Sequence, residues 1–308
     1  MWLPLIKWGG VEYRLHPLFL ILMLFSVWTG YFAEMLTLFG VVTIHELGHV
    51  AAARAYGWRI RRVQLLPFGG VAEMEESANV PAKEEMVVAL CGPLQNVWMA
   101  VFAAAMLEWG PGQTADYWAY FLQANLMIGL FNLLPVLPLD GGKLVLGAFS
   151  YLFSYHRVLS AVLHTSLLLS LCMVIAALAR YAAGGVHLNL LAIGLFLFFS
   201  NWYSIKHLPY QFFRFLISRE ASCSRMKQAG QPPHMLVVPY DQEPVQVLRR
   251  FKRERHHLLY IVDRAGDVLQ ICPEDRLLRA YLSRVSGPPG SRGGNGAGRK
   301  RGKGEKIG

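Results

Sequence analysis

The chain has 308 residues, of which 54% are hydrophobic and only 16% charged; with its positive mean hydropathy this excludes an ordinary soluble globule and points to a membrane protein. The formal net charge of +10 does not indicate a nucleic-acid partner, because the last 23 residues, a Gly-rich tail that reads as disordered, hold six Lys or Arg against one Glu. Cys91, Cys172, Cys223 and Cys272 show no metal-type spacing and imply a reducing compartment without disulfides.

In chain order, apolar runs at about 15–33, 35–54, 86–107, 119–138, 158–179 and 186–205 each approach the ~20 residues a helix needs to cross the hydrocarbon core. The first begins after Pro17 and is not followed by a cleavage site of signal-peptide type. Six spanning helices put Lys7, Arg14, Arg54, Arg59, Arg61, Arg62, Lys83, Lys143 and Arg157 on one side and only Arg180 on the other, which predicts both termini in the cytoplasm. The expected organisation is a membrane domain over 1–205, an interfacial linker helix over 206–224, a small cytoplasmic α/β unit over 225–285, and the tail.

Within the α/β unit, "HMLVVP", a helix at Val245, Leu248 and Phe251, the hairpin "LLYIVD" and "VLQI" around "RAGD", and a helix carrying Leu277, Leu278 and Tyr281 read as strand, helix, strand, strand, helix. That pattern resembles a cystathionine-beta-synthase (CBS) type module. A single such unit has a small core and is expected to pair, giving a homo-oligomer.

His45, Glu46 and His49 spell H-E-x-x-H inside the second run, which places two imidazoles one turn apart on one helix face as two legs of a zinc site. Glu46 stands where it could take a proton from a metal-activated water. Ionisable groups within a span are costly and mark function. A catalytic zinc needs a third protein ligand, and Asp140 in "NLLPVLPLDGGK" is the candidate with the most informative context, at the same membrane depth. Pro135, Pro138, Gly141 and Gly142 break the helix there, as occurs at membrane depth where a cavity is lined. Metal or ion transport gated by the C-terminal unit, and a noncatalytic scaffold with structural zinc, are the competing classes.

HELGH in an early span and N-x-x-P-x-x-P-x-D-G in a later one, with "GPLQN" (92–96) between them, together resemble the site-2 protease family of intramembrane zinc metalloproteases. The resemblance covers roughly residues 1–285 and implies a fold, an activity and roles. His45, His49 and Asp140 would be zinc ligands, Glu46 the general base, and Asn132 and Pro135 part of the substrate path. The stretch 56–85 would form a membrane-dipping hairpin that accepts substrate as an added strand, or a purely structural hairpin with Gly69 and Gly70 at its turn. Gly92 and Asn96 would let the third span approach the metal helix, or serve ordinary small-residue packing.

The same resemblance implies a membrane-associated substrate, the precursor of a sporulation sigma factor, cleaved at the outer forespore membrane facing the mother cell. It further implies integral membrane inhibitors, and a CBS-type module that senses ATP or another adenine nucleotide, holds the substrate, or both, the alternative being a purely structural, dimerising module.

Overall fold

A computed structural model describes residues 3–8, 11–15, 17–58, 60–66, 69–74, 80–182 and 188–286. Residues 287–308 of the expected disordered tail lie outside the described residues.

The chain opens with two strands that the hydropathy pattern did not reveal, β1 (Leu3–Trp8) and β2 (Val11–Leu15). Helices α1 (Pro17–Thr29) and α2 (Phe32–Ala55) follow, and then β3 (Ile60–Leu66) and β4 (Gly69–Met74). The four strands form one sheet in the order β1-β2-β3-β4, antiparallel except for the parallel β2–β3 pair. A parallel pair needs a long crossover, and the α1–α2 helical hairpin supplies it. Phe19 and Phe39 pack with ring centroids 4.4 Å apart, and Phe19 joins Val50, Ala53, Ile60 and Val88 in a buried cluster that ties this hairpin to the third helix. The expected turn at Gly69 and Gly70 is instead the start of β4; residues 67–68 lie outside the described residues.

Five helices complete the membrane domain: α3 (Ala82–Trp109), α4 (Ala115–Asn132), α5 (Asp140–Ser150), α6 (Tyr155–Ala182) and α7 (Leu188–Lys206). Among the described residues, four helices are long and apolar enough to span: α2, α3, α6 over Tyr155–Arg180, and α7. The other two expected spans differ for identifiable reasons. At 13 residues, α1 covers only about 20 Å of a core ~30 Å thick. Helix α4 carries Asp116, Gln123, Asn125 and Asn132 and stops at Asn132, before Pro135 can be accommodated.

The C-terminal unit consists of α8 (Leu208–Gln228), β5 (His234–Pro239), α9 (Pro244–Leu248), β6 (His257–Val262), β7 (Val268–Pro273) and α10 (Glu274–Ser286). The element order after α8 is the expected strand, helix, strand, strand, helix. β5 and β6 are parallel, and β6 and β7 are antiparallel across a turn in which Asp263 Oδ1 accepts the N–H groups of Ala265 and Asp267. One sheet face packs Leu236, Val238, Leu259 and Cys272 against α8, α9 and α10. Because α8 contributes Phe212, Phe215 and Leu216 to that core, the helix read as a linker is fused to the unit that follows it.

Beneath the core, the fully buried Arg219 guanidinium donates to both oxygens of Glu274 and to the carbonyls of Arg253 and Arg255. A buried charge is tolerated when paired and hydrogen-bonded in this way.

The unit is docked on the membrane domain. Arg253, 8% exposed, pairs with Glu85 and donates to Val80 O at 2.7 Å, while Glu254 Oε1 accepts the N–H of Ala82 at 2.8 Å. The Tyr155 N–H, at the start of α6, donates to Phe251 O at 3.0 Å.

Candidate metal centre and active site

α2 presents His45 and His49 one turn apart, and both are buried. α5 begins at Asp140, so the carboxylate stands at a helix N-terminus, where the helix dipole favours negative charge. Lys143, one turn on, donates to Asp140 Oδ1 at 3.0 Å and leaves Oδ2 to face the histidines. Oδ2 lies 3.2 Å from His45 Nε2 and 3.0 Å from His49 Nε2, and the two Nε2 atoms are 3.2 Å apart.

Hydrogen bonds on the far side of each ring determine what those three atoms are. His45 Nδ1 is 2.6 Å from Asn96 Oδ1. That oxygen is an acceptor because the Asn96 amide nitrogen donates to Asn125 Oδ1 at 3.3 Å, and the Asn125 amide in turn donates to Phe121 O at 2.9 Å. His49 Nδ1 faces the Val88 carbonyl at 2.7 Å. Both Nδ1 atoms therefore carry the ring protons, and in neutral rings both Nε2 atoms present lone pairs.

Two lone pairs and a carboxylate oxygen converge without a donor between them, an arrangement that asks for a cation. Ligand distances of about 2.0–2.2 Å around tetrahedral zinc separate ligand atoms by roughly 3.4 Å, close to the 3.0–3.2 Å seen here. His45, His49 and Asp140 could thus hold a metal ion, three protein ligands that would leave one position of a tetrahedral ion to another ligand.

Residues 33–112 and 111–178 match the model of Peptidase family M50. Over 285 residues the chain is 36% identical to Stage IV sporulation protein FB of Bacillus subtilis (strain 168), covering 92% of this chain and 94% of that one. The chain belongs to peptidase family M50, the site-2 protease family. It is 27% identical over 207 residues to a zinc metalloprotease of Methanocaldococcus jannaschii, a match covering 63% of this chain and 58% of that one. The solved site-2 protease from Methanocaldococcus jannaschii superposes with a TM-score of 0.52 at 26% identity, covering 67% of this chain and 95% of that chain. The protein is accordingly an intramembrane zinc metalloprotease.

Within this M50 site, α3 does more than pack. A Cβ built on Gly92 would stand 2.2 Å from His49 Nε2 and 2.8 Å from His45 Nε2, so the absence of a side chain there makes the space beside the histidines. Asn96 goes beyond the close approach expected of it, since it sets the tautomer of His45. The sequence signal for Asn96 and Asn125 was available, two amides in apolar helices, but their pairing across helices was not. The Val88 carbonyl leaves no sequence signal.

Glu46 is half-buried at the position after His45 on α2. Asn132 ends α4 and donates to Ile128 O at 3.0 Å, one turn back in its own helix, and Pro135 is exposed in the link that follows. Among the described residues neither is hydrogen-bonded to the histidine–aspartate cluster. Gly141 and Gly142 are the sites of close approach where the 133–139 link folds back on α5: a Cβ on Gly141 would stand 2.2 Å from Leu133 O, and one on Gly142 would stand 2.6 Å from Leu137 N.

Proposed function

We propose that this M50 peptidase cleaves a membrane-tethered sigma-factor precursor during sporulation, at a zinc ion held by His45, His49 and Asp140. The observation that carries the chemistry is the convergence of two imidazole lone pairs and a carboxylate, with Nδ1 of each ring already committed to an acceptor. Near-full-length similarity to Stage IV sporulation protein FB of Bacillus subtilis supports the biological setting, the outer forespore membrane facing the mother cell.

Zinc held there would supply a Lewis acid for the scissile carbonyl and would acidify a water. Glu46, beside the ligands, would serve as the general base and acid that carries a proton to the leaving amide nitrogen. Asn132 and Pro135 line the substrate path, with the Asn132 amide able to donate to the substrate backbone. β4 is an edge of the N-terminal sheet, and an unwound substrate adds to it as a strand, which exposes a peptide bond that a helix would hide. Helices α1 and α4, one shorter and the other more polar than the four long apolar helices, are the remaining two of six passes, the flanking residues and local thinning making up the length of α1, and both ends are cytoplasmic.

The C-terminal unit serves as a CBS-type regulator, responding to an adenine nucleotide or to the substrate. Its contacts with the start of α3 through Arg253 and Glu254 support such a role, since α3 also carries Val88, Gly92 and Asn96. The outer face of its sheet exposes Met235, Val237, Leu269 and Ile271, apolar surface suited to pairing with a second copy. Integral membrane inhibitors complete the proposed set of partners.

Co-expression of the wild type and Glu46→Gln with a membrane-tethered sigma-factor precursor tests the reading. A shortened product with the wild type alone supports it. No product with zinc-loaded wild type overturns the substrate assignment.

A further inference from the structure

The 133–139 link between α4 and α5 lies among membrane helices, where a backbone N–H or C=O without a partner is strongly unfavourable. At Leu137 both backbone groups find partners on other helices. The N–H donates to Ser166 Oγ on α6 at 2.9 Å, and the carbonyl accepts from Asn201 Nδ2 on α7 at 2.6 Å. Ser166 is 0% and Asn201 1% exposed.

Asn201 makes this contact at a cost to itself. Its amide nitrogen donates both to Leu137 O and to Leu197 O, the latter at 2.9 Å, while its Oδ1 is buried with no partner among the described residues. Flipping the amide would aim Oδ1 at two carbonyl oxygens, so the orientation is determined. An asparagine serving only its own helix has no reason to strand an acceptor, a penalty that removing the side chain would relieve.

The gripped peptide is also in the right place to matter. Leu137 precedes Asp140 by three residues, and a Cβ on Gly142 would lie 2.6 Å from Leu137 N, so the Leu137 backbone packs directly on the first turn of α5. Hydrogen bonds from Leu139 N to Val136 O and from Gly142 N to Leu139 O join that turn to the link without slack.

We propose that Asn201 and Ser166 are positioning residues of the metal centre, holding the Leu137 peptide from α7 and α6 so that Asp140 meets His45 and His49. The inference rests on the reading of those three residues as the zinc ligands. It gives α6 and α7, which contribute no ligand, a part in setting the geometry of the site, where fractions of an ångström count.

The test uses the full-length chain purified in detergent, with Asn201→Leu, Ser166→Ala, and Ser170→Ala as a control. Ser170 lies one turn along α6 and, among the described residues, bonds only to the Ser166 and Leu167 carbonyls of its own helix. Zinc dissociation constants are measured by chelator competition, the ligand-field spectrum of the cobalt-substituted protein is recorded, and unfolding of the metal-free protein is followed.

Asn201→Leu and Ser166→Ala are each expected to weaken zinc about 10–100-fold and to shift the cobalt spectrum, with Ser170→Ala unchanged in both. Wild-type zinc affinity and spectrum in Ser166→Ala, a one-atom deletion that leaves the helix packing intact, would overturn the proposal even if Asn201→Leu failed to fold. His45→Ala separates the levels. If it loses zinc while the positioning variants keep it, only this inference fails; if it binds zinc like the wild type, the ligand assignment fails as well.

Discussion

Glu254 and Ala82 stand 172 positions apart and are joined by a single 2.8 Å bond, in which the carboxylate of the C-terminal unit accepts the N–H of the first residue of α3. The residue preceding the helix is Pro81, which makes no side-chain cap of its own, so the cap comes from another part of the fold. Glu254→Ala should cost about 1 kcal/mol, the usual worth of a helix cap. Arg253→Ala strands the Glu85 carboxylate and the Val80 carbonyl and should cost more, about 2–3 kcal/mol. Urea unfolding in detergent measures both, and a double-mutant cycle with Glu85→Gln isolates the ion pair.

Glu46→Gln keeps the shape of the side chain and removes its ability to take up a proton. The variant should bind zinc with wild-type stoichiometry and cleave at least 100-fold more slowly, the range over which a general base acts. Metal analysis and a product assay on the same sample check this; normal cleavage would refute the assigned role.

Asn96→Leu removes the acceptor that holds the His45 Nδ1 proton in place. The ring is then free to adopt the wrong tautomer, and zinc affinity should fall 10–100-fold while His49, held by Val88 O, is unaffected. Asn125→Leu should have a smaller effect in the same direction, because Asn96 loses only the partner that orients it. Chelator competition measures both.

Acid should open the C-terminal unit. Burial opposes ionisation of Glu274, but the bonds from His257 and Arg219 win and hold its pKa at about 2, against an ordinary 4.5. The stability from this carboxylate is intact above about pH 4.5 and drains away as pH falls toward 2, on the order of 3 kcal/mol in all. His257 acts in the same direction: burial lowers its pKa, so below about 6.5 the unfolded ring takes a proton that the folded one refuses. Buried Cys223, whose thiol burial pushes up to about 12, reports the opening. In a chain with Cys91 and Cys172 replaced by Ser and Cys272 by Ala, a pyridyl disulfide, which still reacts with thiols in acid, should modify Cys223 faster at pH 3 than at pH 7.

The catalytic helix was legible because chemistry concentrated in five residues, and the C-terminal unit because strand and helix periods differ. The expected runs at 15–33 and 119–138 extend past the ends of α1 and α4 for one reason: hydropathy smooths over a helix that ends early. Asn132 closes α4 before Pro135, and the residues to Leu139 belong to the link. β1 and β2 escaped notice because a strand of five or six residues beside a long apolar run has no period of its own. Asp140 could be placed at the right depth from the loop charges, whereas the grip of Asn201 and Ser166 on Leu137 depends on helices that come together only in the folded chain.

The space at Gly92 bears on how such proteins are inventoried. One added methyl group there collides with both imidazoles, though HELGH, Asp140 and Asn96 all stay intact. A lineage could therefore retire this enzyme with a single codon change that leaves His45, Glu46, His49 and Asp140 in place. The descendant would still be counted as a peptidase by any search that checks ligands alone, which makes position 92 the place to look before activity is credited to a homologue.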